Sequence, residues 1–170
     1  MPDNILLLSI KPEYADKIFD GAKTVELRRV RTRLKEEDLV LVYVSSPEKA
    51  LVGYFEVESV IIFNLPEDLN NFWKRVQEKA GIEQSQFYKY YKGASVGVAI
   101  FLKNPHVFPK SLKLESLRKE LPNIRPPQSY RYLTKKEVNH VEKIIQHKII
   151  SNSNNSNRKK YEKQIITIGI

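Results

Sequence analysis

Apolar and polar positions along the first third of the chain alternate in a way that predicts a strand, a short helix and a second strand. Asn4 to Ile10 is an apolar run of strand length. Pro12 then stands where the first residue of a helix belongs, its fixed φ suited to that turn and its missing N–H costing nothing there. Ala15, Ile18 and Phe19 give the helix one buried face. Gly21 reads as its stop, because glycine accepts the left-handed conformation that closes a helix. In the next strand Val25 and Leu27 point one way, while Thr24, Glu26 and Arg28 point the other. The apolar phase changes between Leu27 and Val30, which predicts a bulge or a strand end near Arg28 or Arg29.

Further along, Asp38 to Val44 predicts a strand, and Ala50 to Phe63 a long or bent one with Gly53 inside it. Glu67 to Ala80 reads as a helix with Leu69, Phe72, Trp73 and Val76 on one face, Trp73 being a core residue on that spacing. Gln84 to Lys92 is a second helical or irregular piece, rich in tyrosine. Ser95 to Leu102 is a strongly apolar strand, and Glu115 to Leu121 a short helix. Thr134 and Glu137 have the spacing of a capping box. Behind them Val138, Val141, Ile144, Ile145 and Ile149 recur at helical intervals. Ser151 to Asn157 is an Asn/Ser-rich, low-complexity stretch, and the apolar Ile165 to Ile170 predicts a terminal strand added to this sheet or to a neighbour's. Three units follow: residues 1–133, a helix at 134–150, and a basic tail at 151–170.

The chemistry concentrates in the strand after Gly21. Lys23, Glu26 and Arg28 fall within six residues, and a salt-bridged edge strand is the plain structural explanation for them. Lys11 sits beside the free N–H groups of the first helix, an arrangement suited to an anion such as a phosphate. The string from Ser9 to Arg28, with Ser-x-Lys-Pro-x-Tyr-Ala followed by Gly-x-Lys-x-x-Glu-x-Arg, resembles the signature of the ASCH domain, a family of the PUA-like superfamily. The likeness continues through Val42 to Pro47 and Val52 to Val57, and resumes at Pro126 to Leu133. It implies an α+β chain built on a small, mostly antiparallel PUA-like β-barrel with flanking helices. It also implies a cleft near the signature motif, and RNA as a frequent ligand of such barrels.

Composition fits a small soluble domain. With no cysteine there is neither a disulfide framework nor a thiolate metal site. His106, His140 and His147 lack the companions a metal would need, so no metal or cofactor is expected. The N-terminal apolar run is too short for a signal peptide or a membrane span, which predicts a cytoplasmic protein with no membrane partner. Charge is the more telling property: 29 Lys and Arg against 20 Asp and Glu give a net charge of +9, which favours polyanions. In an extended backbone Arg29, Arg31, Arg33 and Lys35 share one side, a row able to follow phosphates. A second basic concentration is Arg158 to Lys160 with Lys163.

Aromatic and basic residues also interleave, at Phe87 to Lys92 and at Tyr130, Arg131 and Tyr132, a pattern that can stack bases while holding phosphates. The resulting expectation is a nucleic-acid-binding module, with RNA as the partner. Lys11 and Lys23 bind phosphate, Glu26 accepts from a base edge or holds Arg28, and Ser45 and Ser46 line the cleft. Arg28, Arg29, Arg31, Tyr130 and Arg131 complete the set. Lys23 and Glu26 are expected in a solvated cleft, where their substitution leaves stability nearly unchanged.

Two alternatives remain open. Some ASCH proteins with a similar motif are amidohydrolases on acylated cytidine nucleosides, or nucleases; Lys23 matches the lysine of the former, but Glu26 occupies the position expected of a threonine nucleophile. The other alternative is a regulatory protein that senses a nucleotide-like ligand and engages a protein partner through its C-terminal extension.

Overall fold

The computed structural model describes residues 3–152. The expected low-complexity stretch from 153 onward, the basic cluster at 158–163 and the apolar end at 165–170 lie outside them. Six strands and five helices follow one another along the described chain: β1 (Ile5–Ile10), α1 (Pro12–Phe19), β2 (Val25–Arg28), β3 (Leu39–Val44), β4 (Ala50–Asn64), α2 (Leu69–Val76), α3 (Gln84–Tyr91), β5 (Val96–Lys113), α4 (Leu114–Glu120), β6 (Tyr130–Tyr132) and α5 (Lys135–Asn152). The strands form one sheet in the order β2-β5-β4-β3-β1-β6.

The expected α+β chain with mostly antiparallel pairing is present, but the expected barrel is corrected to a mixed sheet of six strands that is curled and open. β1 runs parallel to β3, Ile5 beside Leu39 and Ile10 beside Val44; the remaining neighbours are antiparallel. Parallel neighbours require a crossover, and α1 with β2 supplies it. Register shifts between Leu51 and Gly53, Tyr54 and Glu56, and Val57 and Ser59 bend the long β4–β5 ribbon, so one strand pair serves two parts of the sheet. At Gly53 a Cβ would lie 2.1 Å from the His106 carbonyl oxygen, so a side chain there would collide with the neighbouring backbone.

Both faces of the sheet are covered, and the apolar runs read in the sequence are explained by that. Leu6, Leu8, Val40, Val42, Phe55, Val98 and Ile100 share one face with Ala15 and Ile18 of α1. Leu7, Leu39, Leu41 and Tyr43 turn to the other face, against Leu117 of α4 and Val141 of α5. A third cluster joins Val25, Leu27, Ala99 and Phe101 to Phe72, Val76, Phe87 and Tyr91 of α2 and α3, with Trp73 packed against it. α5 thus docks on the sheet through Val138, Val141 and Ile144 at its N-terminal end. The expected capping box is present: Glu137 N–H donates to Thr134 Oγ1 at 3.2 Å, and Thr134 N–H to Glu137 Oε2 at 2.9 Å. Gly21, with φ of +87°, ends α1 as expected.

Candidate functional site

The geometry of the site follows from how β2 faces the rest of the sheet. β2 is an edge strand paired with β5, and the Glu26–Ile100 and Arg28–Val98 register puts both charged side chains on the face of the first core cluster. The curl brings that edge close to the opposite one. Arg28 Nη2 donates to the Ser9 carbonyl of β1 at 3.1 Å, and Nη1 to Ser129 Oγ, just before β6, at 3.1 Å. One guanidinium thus spans the seam of the open sheet.

Arg28 also pairs with Glu26 at 2.8 Å, and Lys23 lies 3.5 Å from the other oxygen of that carboxylate. Lys23 Nζ donates to the Ala80 carbonyl at 2.8 Å and sits over the Tyr14 ring. Lys23 is only 3% exposed and Glu26 7%, which corrects the expectation of a solvated cleft: Lys23 is enclosed by the Ala80 carbonyl and the Tyr14 ring, and Glu26 lies between Lys23 and Arg28. The salt-bridged edge strand and the site residue are one and the same group here. Burial pushes the Lys23 ammonium below the usual lysine range, and the Glu26 charge beside it works in the opposite direction.

This triad forms one wall of a cleft of about 740 Å³. Lys11, Lys23, Glu26, Arg28, Ser45 and Ser46, six of the residues expected at the site, line it. Lys11 enters from the turn before α1, Ser45 and Ser46 from the end of β3. The lining residues missed by sequence reasoning include Tyr14 of α1, Tyr43 of β3, Lys49 of the β3–β4 turn and Arg118 of α4. Tyr14 and Tyr43 stand inside the quoted likeness, so their position in it was a usable signal. Lys49 and Arg118 belong to no motif; only the positive φ of Lys49, 48°, marks an unusual backbone, and it is invisible in sequence.

Lys11, Lys49 and Arg118 are exposed, and among the described residues no carboxylate lies within salt-bridge distance of any of them. The one carboxylate lining the cleft, Glu26, is already engaged by Lys23 and Arg28. The cleft therefore presents free positive charge. Burial raises the Tyr43 phenol above its ordinary range, with Arg118 opposing, so at neutral pH it is a hydroxyl donor. Three polar groups complete the opposite rim: Gln86 and Tyr90 on one helix face, and Gln128 after Pro126-Pro127.

Arg29, Arg31, Tyr130 and Arg131 fall outside the cleft lining. Arg131 forms a two-pronged pair with Glu137, 2.9 and 3.1 Å, on the face of β6 beside Leu7 and away from Tyr130 and Tyr132. It ties β6 to the start of α5, so the expected interleaving of Arg131 with the two tyrosines is corrected. Tyr130 and Tyr132 instead hold the loop after β2: their hydroxyls meet the Arg31 carbonyl and the Arg33 N–H. Lys35 pairs with Asp3 and so leaves the basic row. No cluster of three or more metal-ligating side chains is present among the described residues, and no helix there is long and apolar enough to cross a membrane.

Comparison with known proteins bears on the family and the fold. A protein from Zymomonas mobilis named as an ASCH domain-containing ribonuclease is 29% identical over 132 residues, 78% of this chain and 86% of that one. The crystal structure of an ASCH protein from the same organism superposes with a TM-score of 0.74 at 26% identity, covering 81% of this chain and 93% of that one. The large ribosomal subunit protein uL22 of Ureaplasma parvum is 27% identical over 130 residues, and the match spans 39% of its length. The ASCH domain family model matches residues 8–165, and the chain belongs to that family.

Proposed function

We propose that the cleft is an RNA site and that the protein acts on RNA as a ribonuclease. The observation behind this reading is the set of three cations without acid partners, Lys11, Lys49 and Arg118, around a cavity whose single carboxylate is neutralised. Such a cavity favours a phosphodiester over a neutral or cationic ligand. Lys11 and Lys49 act as point charges on the phosphate, and Arg118 offers a planar fork to two of its oxygens. Tyr43 lines the same cleft, and in this reading its hydroxyl gives the proton to the leaving oxygen. Gln86 and Gln128 supply amides able to meet base edges. The Zymomonas relative named as a ribonuclease supports turnover as well as binding.

A second reading has one observation in its favour. Burial lowers the proton affinity of Lys23, as amine chemistry on a modified nucleoside would need. Against it, Lys23 Nζ is bonded to Ala80 and Glu26, and Glu26 is bonded to Arg28, which leaves neither group free for a substrate.

The deciding experiment follows RNA binding and product formation on the same preparations of wild type, Tyr43→Phe and Lys49→Gln. Cleavage of RNA by wild type is expected, with Tyr43→Phe binding normally and cleaving slowly, and Lys49→Gln weakened in both. Normal RNA binding without cleavage reduces the function to recognition. Absence of RNA binding, with turnover of an acylated nucleoside, overturns the proposal in favour of the second reading.

A further inference from the structure

The loop from Arg29 to Lys35 is more ordered than its lack of secondary structure implies. It leaves the cleft at Arg28 and runs beside the segment that leaves the cleft at Gln128. The two are tied at successive points: Arg28 to Ser129, the Arg31 carbonyl to the Tyr130 hydroxyl, and the Arg33 N–H to the Tyr132 hydroxyl. Leu34, 6% exposed, then plugs the far end of the loop into the first core cluster. Backbone ties and Leu34 fix the course of the loop, Arg29 Nη2 meets the Lys92 carbonyl at 3.5 Å and Lys35 pairs with Asp3, while the side chains of Arg29, Arg31 and Arg33 remain exposed.

Among the described residues none of these three guanidinium groups has a carboxylate within salt-bridge distance. Two of them sit on aromatic faces. Arg29 lies over Tyr90, itself part of the cleft rim, at 5.9 Å from the ring centroid, and Arg33 over Tyr132 at 4.4 Å. The result is a fixed row of charges and rings that begins at the cleft mouth and leads away from it.

We propose that this loop is a second binding site, a track that holds the RNA strand flanking the nucleotide in the cleft. Arg29, Arg31 and Arg33 contact successive phosphates, Arg29 and Arg33 being held in place on the Tyr90 and Tyr132 faces, and unpaired bases stack on the outer sides of these guanidinium planes. The inference rests on the cleft being an RNA site, and adds that the recognised ligand is an extended strand. Pinning the backbone at two tyrosine hydroxyls and a buried leucine holds the guanidinium row ready, which lowers the ordering cost of binding a strand.

The test compares a trinucleotide with a ten-nucleotide single strand, using wild type, Arg31→Gln/Arg33→Gln and Lys35→Gln. Wild type is expected to bind the longer strand at least about tenfold more tightly, as several added phosphate contacts require. The double variant is expected to lose that gain and to lower the slope of log affinity against log salt by about 1.4, at roughly 0.7 per phosphate. Lys35→Gln, whose lysine is paired with Asp3, is expected to retain both. An unchanged gain and slope in the double variant, with its melting temperature also unchanged, overturns the track and leaves the cleft reading standing. Equal gain with a ten-base-pair duplex also overturns it. Should wild type bind neither strand while the double variant loses affinity for polyglutamate, the loop serves an acidic protein and both readings fall.

Discussion

Replacing Glu26 by glutamine is predicted to destabilise the fold, and to do so in a pH-dependent way. The substitution keeps the shape of the side chain and removes its charge from between Lys23 at 3.5 Å and Arg28 at 2.8 Å. Removing one partner of a buried pair costs about 3–5 kcal/mol, because the charge left behind has lost its compensation. Here the loss is at the lower end. Arg28 keeps Ser9 and Ser129, Lys23 keeps the Ala80 carbonyl, and the new amide oxygen can still accept from Arg28. A loss of about 3 kcal/mol lowers the melting temperature by roughly 6–12 °C in a chain of this size.

The pH dependence has a definite sign. Burial lowers the folded-state pKa of Lys23 below 10.5, so between the two values the unfolded chain binds more protons and stability rises with pH. Glu26 opposes that shift; without it the window reaches to lower pH. The deficit of Glu26→Gln against wild type is therefore expected to be largest near neutrality and to shrink as pH rises toward 10. Thermal unfolding by circular dichroism between pH 7 and 10 reads this directly. A deficit below about 2 °C at pH 7, under 1 kcal/mol by the same scaling, would refute the buried-network reasoning, as would a deficit that grows with pH.

Three further outcomes are expected. Thr134→Ala removes the helix cap of α5 and is expected to cost about 1 kcal/mol in urea unfolding, and Arg131→Gln to add a loss of its own, both with RNA affinity unchanged. Removing residues 153–170 takes away four basic residues and one acidic one, and is expected to lower affinity for heparin while the remaining chain melts as a folded protein, checked by calorimetry.

What the sequence revealed and what it hid divide along local and non-local lines. The β1–α1–β2 unit was legible because Pro12, Gly21 and the alternation from Val25 to Arg28 act over a few residues. So was the start of α5, where Thr134 and Glu137 satisfy each other three residues apart. The parallel pairing of β1 with β3 was not legible, since nothing in either strand specifies its neighbour. The burial of Glu26 escaped for the same reason: alternation says which way a side chain points, and only the curl of the sheet brings Ser9 and Ser129 to the Arg28 guanidinium that Glu26 pairs with. Arg131 read as a phosphate-holding residue between two base-stacking tyrosines because those neighbours are adjacent in sequence. In a strand, adjacent residues face opposite ways, and its partner Glu137 lies on the other side. Lys49 and Arg118 reach the cleft from a turn and a helix far apart in the chain, so no spacing could link them.

The claim that the cleft binds RNA through its free cations is tested most directly by the salt dependence of RNA affinity in wild type and in Lys11→Gln/Lys49→Gln/Arg118→Gln. These side chains are exposed, so the triple variant is expected to melt within about 2 °C of wild type. Its log–log salt slope is predicted to fall by about 2, the release expected from losing three phosphate contacts on a single strand. An unchanged slope and affinity in a folded triple variant would contradict the placement of RNA in this cleft.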